Sequence, residues 1–322
     1  SNLVVEHGRD AVDDVLEAFP ELRSISYDPS DVDIAALAEG ADLVVVHEWN
    51  EPSLVAELGG RRRSAGYRLL FHDTHHRAVT RPKEMARYDL RHYDGVLAFG
   101  AVIRDLYLER GWTERAWTWH EAADVRTFRP LEAVPRRGDL VWIGNWGDGE
   151  RTAELHEFLL GPVRRLGLRG QAYGVRYPEE ARRALADAGI RYGGWRANHR
   201  APTAFAAHGV TVHIPRRPYV EVLPGIPTIR PFEALACGIP LVSAPWDDVE
   251  GLFSPGEDFL VAANGREMER HLDDVLHDPH LAASLRERGL KTIHDRHTCG
   301  HRVEELLTIC TELGLEVDTH HG

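Results

Sequence analysis

Lysine and cysteine are scarce in this sequence, and it contains no long apolar run. Lys83 and Lys291 are the only lysines among 38 basic residues, a bias towards arginine that indicates a GC-rich bacterial genome. Cys237, Cys299 and Cys310 are too few, and odd in number, for a disulfide framework, which favours a reducing cytoplasm. No apolar run approaches the roughly 20 residues of a membrane span, so we expect no integral membrane segment.

Positive charge is also in short supply. The 322-residue chain carries a net charge of −13, which argues against a general nucleic-acid binder. A local basic pocket must therefore hold any anionic ligand. Hydrophobic residues make up 43% of the chain and charged residues 28%, as in ordinary soluble proteins. At roughly 150 residues per domain, the length predicts two domains.

Strand and helix patterns alternate through the first part of the chain. The apolar strand candidates are 3–5, 23–27, 41–47, 67–71, 95–99 and 116–119. Helical stretches lie between them, near 10–18, 31–38, 51–58, 81–91 and 101–110. Apolar strands that alternate with helices predict the α/β class, with a parallel, doubly wound sheet. Ligands of such sheets bind beyond the carboxyl ends of the strands, so the residues that follow each strand are site candidates.

Polar residues follow three of these strands. The candidates are His7 after the first strand, Glu48, Trp49 and Asn50 after the third, and His72 and His75 after the fourth. We expect them to line a pocket, although each can equally be a solvated loop residue. His72, His75 and His76 could also ligate a metal, but no second acidic or histidine cluster accompanies them, so we expect no metal site.

A polar segment near the middle of the chain predicts a linker between two domains. It contains Pro130, Pro135 and Gly138. The predicted division is a first domain at 1–130, a linker at 131–138, a second domain at 139–300, and a last helix with a tail at 301–322. The last helix has one apolar face, which must pack against another element.

The second domain opens with a strand, a glycine-rich turn and a helix. The strand at 139–143 is followed by Gly144, Asn145 and Arg151. Such a turn can bring backbone amides to a phosphate, although the glycine spacing alone is a weak signal. Trp195 follows a later strand, where it can either stack on a nucleotide base or pack in the core.

The most informative stretch, 225–243, reads as a loop, a short helix and a buried strand. Pro231 suits a first helical turn, and Gly238 suits a helix end. The loop and the first turn together supply Gly225, Ile226, Thr228, Arg230 and Glu233. Backbone amides at 226–230 beside an arginine form an anion site, and a carboxylate one turn further in can accept hydrogen bonds from sugar hydroxyls. An ordinary helix–strand junction is the alternative interpretation.

The run Phe-Glu-Ala-Leu-Ala-Cys-Gly-Ile-Pro-Leu-Val, at 232–242, resembles the nucleotide-sugar site of GT-B glycosyltransferases of the family 4-like group (glycosyl transferases group 1). Arg230, two residues earlier, resembles the CgeB-type, spore-maturation branch. The segment 123–130 resembles the signature that closes the first domain of this family. The resemblance is good from about 139 to 305 and looser over 93–130. It implies GT-B architecture: two Rossmann-like domains with doubly wound parallel sheets and a cleft between them.

The resemblance also implies roles for individual residues. The donor side would comprise Gly144, Asn145, Arg151, Trp195, Gly225, Ile226, Thr228, Arg230 and Glu233. The acceptor side would comprise His7, Glu48, Trp49 and Asn50. The two donor-side arginines would hold the diphosphate, and Glu233 would hold the ribose. His72 or His75 would contact the transferring sugar or the acceptor, and the last helix would return to the first domain.

Two positions depart from the family pattern. Gly225 stands where the family has an acidic residue, and Asn145 stands where it has an arginine. The prediction is a cytoplasmic, metal-independent, retaining glycosyltransferase that needs a nucleotide diphosphate sugar but no other cofactor. Its acceptor is an unknown saccharide, small molecule or protein. Two alternatives stay open: a GT-B epimerase that acts on the nucleotide sugar itself, and a degenerate protein that binds the nucleotide sugar without catalysis.

Overall fold

The computed structural model describes residues 8–317, except 26, 29–31 and 148, and contains two parallel β-sheets. In chain order, the first half contains α1 (Asp10–Ala18), α2 (Ile34–Ala38), β1 (Leu43–His47), α3 (Pro52–Ala65), β2 (Arg68–Asp73), α4 (Arg77–Thr80), α5 (Pro82–Met85), β3 (Gly95–Ala98), α6 (Ala101–Glu109) and β4 (Ala116–Thr118). The strand predicted at 3–5 lies outside the described residues. The prediction of a strand at 23–27 is wrong for the residues described there, because they form no sheet pairing.

The second half contains more elements. They are β5 (Leu140–Ile143), α7 (Thr152–Leu155), a π-helical turn (His156–Leu160), α8 (Gly161–Leu166), β6 (Gly170–Tyr173), α9 (Glu179–Asp187), β7 (Ile190–Tyr192), a 3₁₀ turn (Asn198–Arg200), α10 (Ala201–Ala206), β8 (Val210–His213), α11 (Arg217–Glu221), α12 (Ile229–Ala236), β9 (Leu241–Ser243), β10 (Leu260–Val261), α13 (Gly265–His277), α14 (Pro279–Arg296) and α15 (Cys299–Glu312). Among the described helices, none combines the length and the apolar character needed to span a bilayer.

Two helical stretches differ from the predicted ones. α3 runs through Gly59 and Gly60 and ends only at Gly66, whose φ of +83° suits a residue without a side chain. Inside this helix, a Cβ at Gly59 would lie 3.4 Å from the ring of Tyr93, so the helix packs closely against that ring. Of the predicted helix at 81–91, only α5 (Pro82–Met85) forms. Further along, Asp89 accepts a hydrogen bond from the amide of Arg91, a local bond that competes with helix formation.

The first sheet has the order β1-β2-β3-β4, and all of its strands are parallel. β2 is buried on both faces, because Leu69 and Phe71 face one apolar cluster while Leu70 faces another. This explains why its sequence is a continuous apolar run rather than an alternating one. His47 at the end of β1 pairs in register with His72 of β2, so the loops that follow these two strands lie side by side.

The second sheet has the order β10-β9-β8-β5-β6-β7, and it is also entirely parallel. The chain starts in the middle at β5, moves outward to β7, and then crosses back to place β8 on the other side of β5. The direction of winding therefore reverses between β5 and β8, and the loops that leave these two strands diverge. Such a reversal creates a crevice at the carboxyl ends of the strands. The predicted α/β class with parallel sheets is confirmed.

Two apolar clusters are among the contacts that join the two halves of the chain. α15 lies against the first sheet, where Ile309 and Leu313 join Leu70 and Leu97 in one cluster. A second contact is made by α11 and the residues that follow it, which add Tyr219, Leu223 and Ile226 to the core of the first half. The predicted domain boundaries themselves stay a prediction.

Candidate functional site

A cavity of about 270 Å³ lies where β5 and β8 diverge. Three segments of the second half line it: residues 142–145 with Arg151, residues 213–216 with Tyr219, and residues 228–230 at the start of α12. His75 lines it from the first half. The cavity therefore occupies the position where ligands bind to doubly wound sheets.

A larger cavity, of about 740 Å³, lies elsewhere. Arg68, Asp94 and Arg115, which are among its lining residues, stand at the amino ends of strands in the first sheet. Because the loops that carry chemistry on parallel sheets are those at the carboxyl ends, the smaller cavity is the candidate site.

The amino end of α12 supplies free backbone amides to the cavity. Thr228 is its N-cap residue, with a φ of +61°, and does not cap the helix with its own side chain. First-turn amides have no partner within a helix, so those of Ile229 and Arg230 remain for a ligand. Two of the residues at 226–230 that were predicted to offer amides to an anion do not do so. Ile226 donates its N–H to Leu223 O at 3.4 Å, and Pro227 has no N–H.

The loop before α12 contacts the first half rather than the cavity. Gly225 has a φ of +88°, and a Cβ placed there would lie 2.9 Å from Cγ of Glu250. Glu250 in turn accepts hydrogen bonds from the amide of Ala101 and from Nε2 of His120, each at 2.8 Å. Ile226 is buried, and its side chain occupies the space beside Gly100. The structure therefore places Gly225 and Ile226 at the contact between the halves.

Three guanidinium groups converge on the cavity, although they are bonded differently. Arg230 donates to Glu233, one turn along the same helix. Arg216 donates to Glu150 Oε2 at 2.7 Å. The sequence alone indicates no role for Arg216, because its place beside the cavity follows from the position of β8 next to β5.

Arg151 connects the two diverging loops. Its terminal nitrogens donate to the backbone oxygens of Asn145 and Ile214, at 2.6 and 3.0 Å. Burial, and then the charges of Arg216 and Arg230, lower the pKa of Arg151 to about 10, so it stays charged at pH 7. Arg151 thus supports the wall of the cavity and adds positive charge to it.

The other predicted residues of this loop are also held by the fold. The side-chain oxygen of Asn145 accepts the N–H of Val175 at 3.2 Å. A Cβ at Gly144 would lie 2.7 Å from the ring of Trp142, so only glycine fits there without a shift.

Trp195 is partly buried on the loop after β7 and does not line the cavity.

Glu233 lies behind the arginines and is only 2% exposed. One carboxylate oxygen accepts from Asn198 Nδ2 at 2.7 Å, and the other accepts from Arg230. A carboxylate can accept about four hydrogen bonds, so capacity for ligand hydroxyls remains. Nearby Glu121 was missed by sequence analysis, since it lies in an irregular loop after β4. Burial, and then the charge of Glu233, raise the pKa of Glu121 to about 7.

The histidine loop is positioned by a buried carboxylate. Asp73, at the end of β2, accepts the N–H of His75 at 3.0 Å and the hydroxyl of Tyr107 at 2.8 Å. These bonds turn His75 towards the cavity, whereas His72 packs against the rings of His47 and Trp119. Of the two predicted catalytic histidines, only His75 reaches the cavity. Among the described residues, no group of histidine, cysteine or carboxylate side chains is arranged to hold a metal ion.

Both histidines are neutral at pH 7. Burial, and then the neighbouring charges of His76 and Arg216, lower the pKa of His75 to about 4. Burial and His47 lower the pKa of His72 to about 4 as well. A neutral imidazole can accept or donate a hydrogen bond, so His75 is suited to orienting a hydroxyl at the edge of the cavity.

The predicted acceptor-side residues differ strongly in exposure. Glu48 is fully buried and pairs with Arg77, whereas Trp49 is 61% exposed. The Arg77 guanidinium lies 4.3 Å from the centre of the Trp49 ring, which is itself 5.1 Å from the ring of His75. Asn50 donates from its side chain to His47 O at 2.8 Å. His7 lies outside the described residues.

The raised pKa of Glu121 predicts a pH-dependent effect on stability. Between pH 4.5 and about 7, folded Glu121 keeps a proton that the unfolded chain releases, so its contribution to the free energy of unfolding falls as pH rises. As the pH rises from 5 to 8, the free energy of unfolding of Glu121→Gln should therefore increase relative to that of the parent. Urea midpoints at both pH values measure this, with exposed Glu180→Gln as the control. The same difference from the parent at both pH values would contradict the assignment.

Residues 151–308, just under half of the chain, match the family model described as Glycosyl transferase-like. This segment includes β8, α12, Arg216, Arg230 and Glu233, and thus most of the cavity wall. No curated protein is significantly similar to the chain in sequence.

Solved structures are similar over most of the chain. Sucrose-phosphate synthase from Thermosynechococcus elongatus is 16% identical, with a TM-score of 0.62 over 85% of this chain and 74% of its own. A glycosyltransferase from Rickettsia africae is 12% identical, with a TM-score of 0.65 over 95% and 88%. Anabaena HepE, solved with UDP and glucose, is 14% identical, with a TM-score of 0.65 over 87% and 80%. The chain therefore has the GT-B fold, and the family-model match lies in its carboxyl-terminal half.

Proposed function

We propose that this protein transfers a sugar from a nucleotide diphosphate sugar to an acceptor. The observation that carries the proposal is the cavity between β5 and β8, where three guanidinium groups and the uncapped start of α12 face His75 of the other half. The glycosyltransferase-like match over 151–308 supports it. So does the fold shared with Anabaena HepE, which was solved in complex with UDP-glucose.

The second half would bind the donor. Arg216 and Arg230, with the amides of Ile229 and Arg230, would hold the diphosphate and stabilise the charge that develops as it leaves. Arg151 would contribute its charge from behind, because its terminal nitrogens already bond main-chain oxygens. Glu233 would accept hydrogen bonds from the ribose hydroxyls, and Trp195 would stack on the base.

The first half would bind the acceptor. Trp49 offers an exposed ring beside His75, and ring faces of this kind suit the apolar faces of sugars and other flat acceptors. His75 stands between that ring and the cavity, so it would orient the hydroxyl groups that react. The finer features stay part of the proposal: retention of configuration, independence of metal ions, membership of the CgeB-type branch and a cytoplasmic location.

An activity assay against a panel of nucleotide sugars tests the proposed reaction. With a suitable acceptor, the nucleotide diphosphate should be released above the enzyme-free background, and excess EDTA should not change the rate. Loss of activity in EDTA that a divalent ion restores would contradict metal independence. Interconversion of nucleotide sugars without release would instead identify an epimerase, and no turnover with any member of the panel would indicate a binding protein.

The role of Arg230 predicts a loss of affinity for the nucleotide diphosphate. A hydrogen bond to a charged group contributes about 1.5–3 kcal/mol, so Arg230→Ala should weaken binding of UDP, or of the preferred nucleotide, by roughly 10- to 100-fold. Arg230→Lys should lose less, since it keeps the charge. Calorimetric titration measures both, and melting temperatures show that the variants fold. Arg288→Ala, an exposed site on α14, is the control. Unchanged affinity in Arg230→Ala would contradict the role of Arg230 in binding the diphosphate.

The two predicted catalytic histidines should behave differently. His75→Ala should reduce turnover by about 10²- to 10⁴-fold while nucleotide affinity stays nearly intact, because a positioned acid–base side chain typically contributes that much. His72→Ala should lose less turnover, since its ring packs away from the cavity. Exposed His92→Ala serves as the control. Turnover and nucleotide affinity are measured on each variant, and a larger loss in His72→Ala than in His75→Ala would reverse the assignment.

A further inference from the structure

His213 lies at the bottom of the cavity and has no role in the function proposed above. It is the last residue of β8, on the strand beside β5, and is only 3% exposed. Its side chain nevertheless lines the cavity between the diverging loops. Among the described residues, its Nε2 atom has no hydrogen-bond partner, although the atom is buried. A buried polar atom without a partner is costly, so it indicates a partner that the protein chain does not supply.

The hydrogen bonds of the neighbouring strand determine which ring nitrogen carries the proton. Nδ1 of His213 lies 3.0 Å from the hydroxyl oxygen of Ser243 on β9. That hydroxyl donates to the backbone oxygen of Ala244 at 2.7 Å, and a carbonyl oxygen can only accept. The proton of Ser243 is therefore committed, and Nδ1 of His213 must donate to Ser243. In the neutral ring this leaves Nε2 as a bare acceptor.

The ring stays neutral in this environment. Burial, and then the charges of Arg151 and Arg230, lower the pKa of His213 to about 3. Protonation would place a third positive group beside two arginines at a buried position. At neutral pH the ring is thus not a cation that could hold a phosphate, and its free nitrogen can only accept a hydrogen bond.

We propose that Nε2 of His213 accepts a hydrogen bond from a hydroxyl group of the sugar carried by the donor. The proposal rests on the nucleotide-sugar function above and assigns a residue that selects the sugar. The diphosphate is deprotonated and has no proton to offer, so it cannot be the partner. Glu233, the group proposed for the ribose, lies behind Arg230 and outside the lining, whereas His213 and His75 both line the cavity.

Binding of a nucleotide sugar, compared with binding of the bare nucleotide diphosphate, tests the proposal. The probes are UDP-glucose and UDP, or the best pair from a panel that adds GDP- and dTDP-glucose. His213→Leu, which removes the acceptor, should weaken nucleotide-sugar binding about 5- to 10-fold while leaving nucleotide diphosphate affinity within about twofold. His213→Gln should retain most of the affinity, because its side-chain oxygen can accept in place of Nε2.

Thr211→Val is the matched control for these variants. Thr211 is buried on the same strand, and its hydroxyl donates to Val141 O at 2.8 Å, but it does not line the cavity. Both affinities should match those of the parent. Melting temperatures confirm that each variant folds.

Three outcomes would overturn the proposal. An equal loss for the nucleotide diphosphate and the nucleotide sugar in His213→Leu would assign the contact to the nucleotide. Unchanged affinity for both in a folded variant would leave Nε2 without a ligand contact. A parent protein that binds no member of the panel would remove the proposed function, and this inference with it. Side-chain ¹⁵N shifts of His213 at pH 7 add a further check, since a proton on Nε2 would contradict the acceptor role.

Discussion

The site depends on one buried arginine that holds two diverging loops together. The order of the second sheet forces the chain to leave β5 and β8 in opposite directions, which opens a crevice but leaves its walls unconnected. Arg151 closes this gap by donating to the backbone oxygen of Asn145 on one side and of Ile214 on the other. Because the guanidinium remains charged when buried, the same contact that fixes the loops also makes the crevice positive. A chain with a net charge of −13 can thereby offer a local site for an anion.

The two halves contribute different chemistry to that crevice. The second half brings Arg216, Arg230 and the start of α12, which suit a diphosphate, and His213, which can only accept a hydrogen bond. The first half brings neutral groups, above all His75, which the buried Asp73 positions. Charged groups of the second half therefore face the neutral ring of His75 from the first half, as the proposed transfer would require.

The sequence predicted the helices and strands of this site better than it predicted which of them lie next to one another. Pro231 and Gly238 marked the two ends of α12 correctly, because both limits follow from local backbone chemistry. Arg216 and His213 were missed as site residues, since their role depends on β8 lying beside β5, which local patterns do not reveal. Ile226 was predicted in the donor site because the local motif is typical of an anion-binding loop. In the structure its amide closes a turn, and its side chain packs against the first half.

A crystal structure of the protein with a bound nucleotide diphosphate would show whether this crevice is the anion site. We expect the diphosphate at the amino end of α12, within hydrogen-bond distance of Arg216 and Arg230, with the ribose directed towards Glu233. A diphosphate bound instead in the larger cavity near Arg68 and Arg115, or one that contacts neither arginine of the crevice, would contradict it.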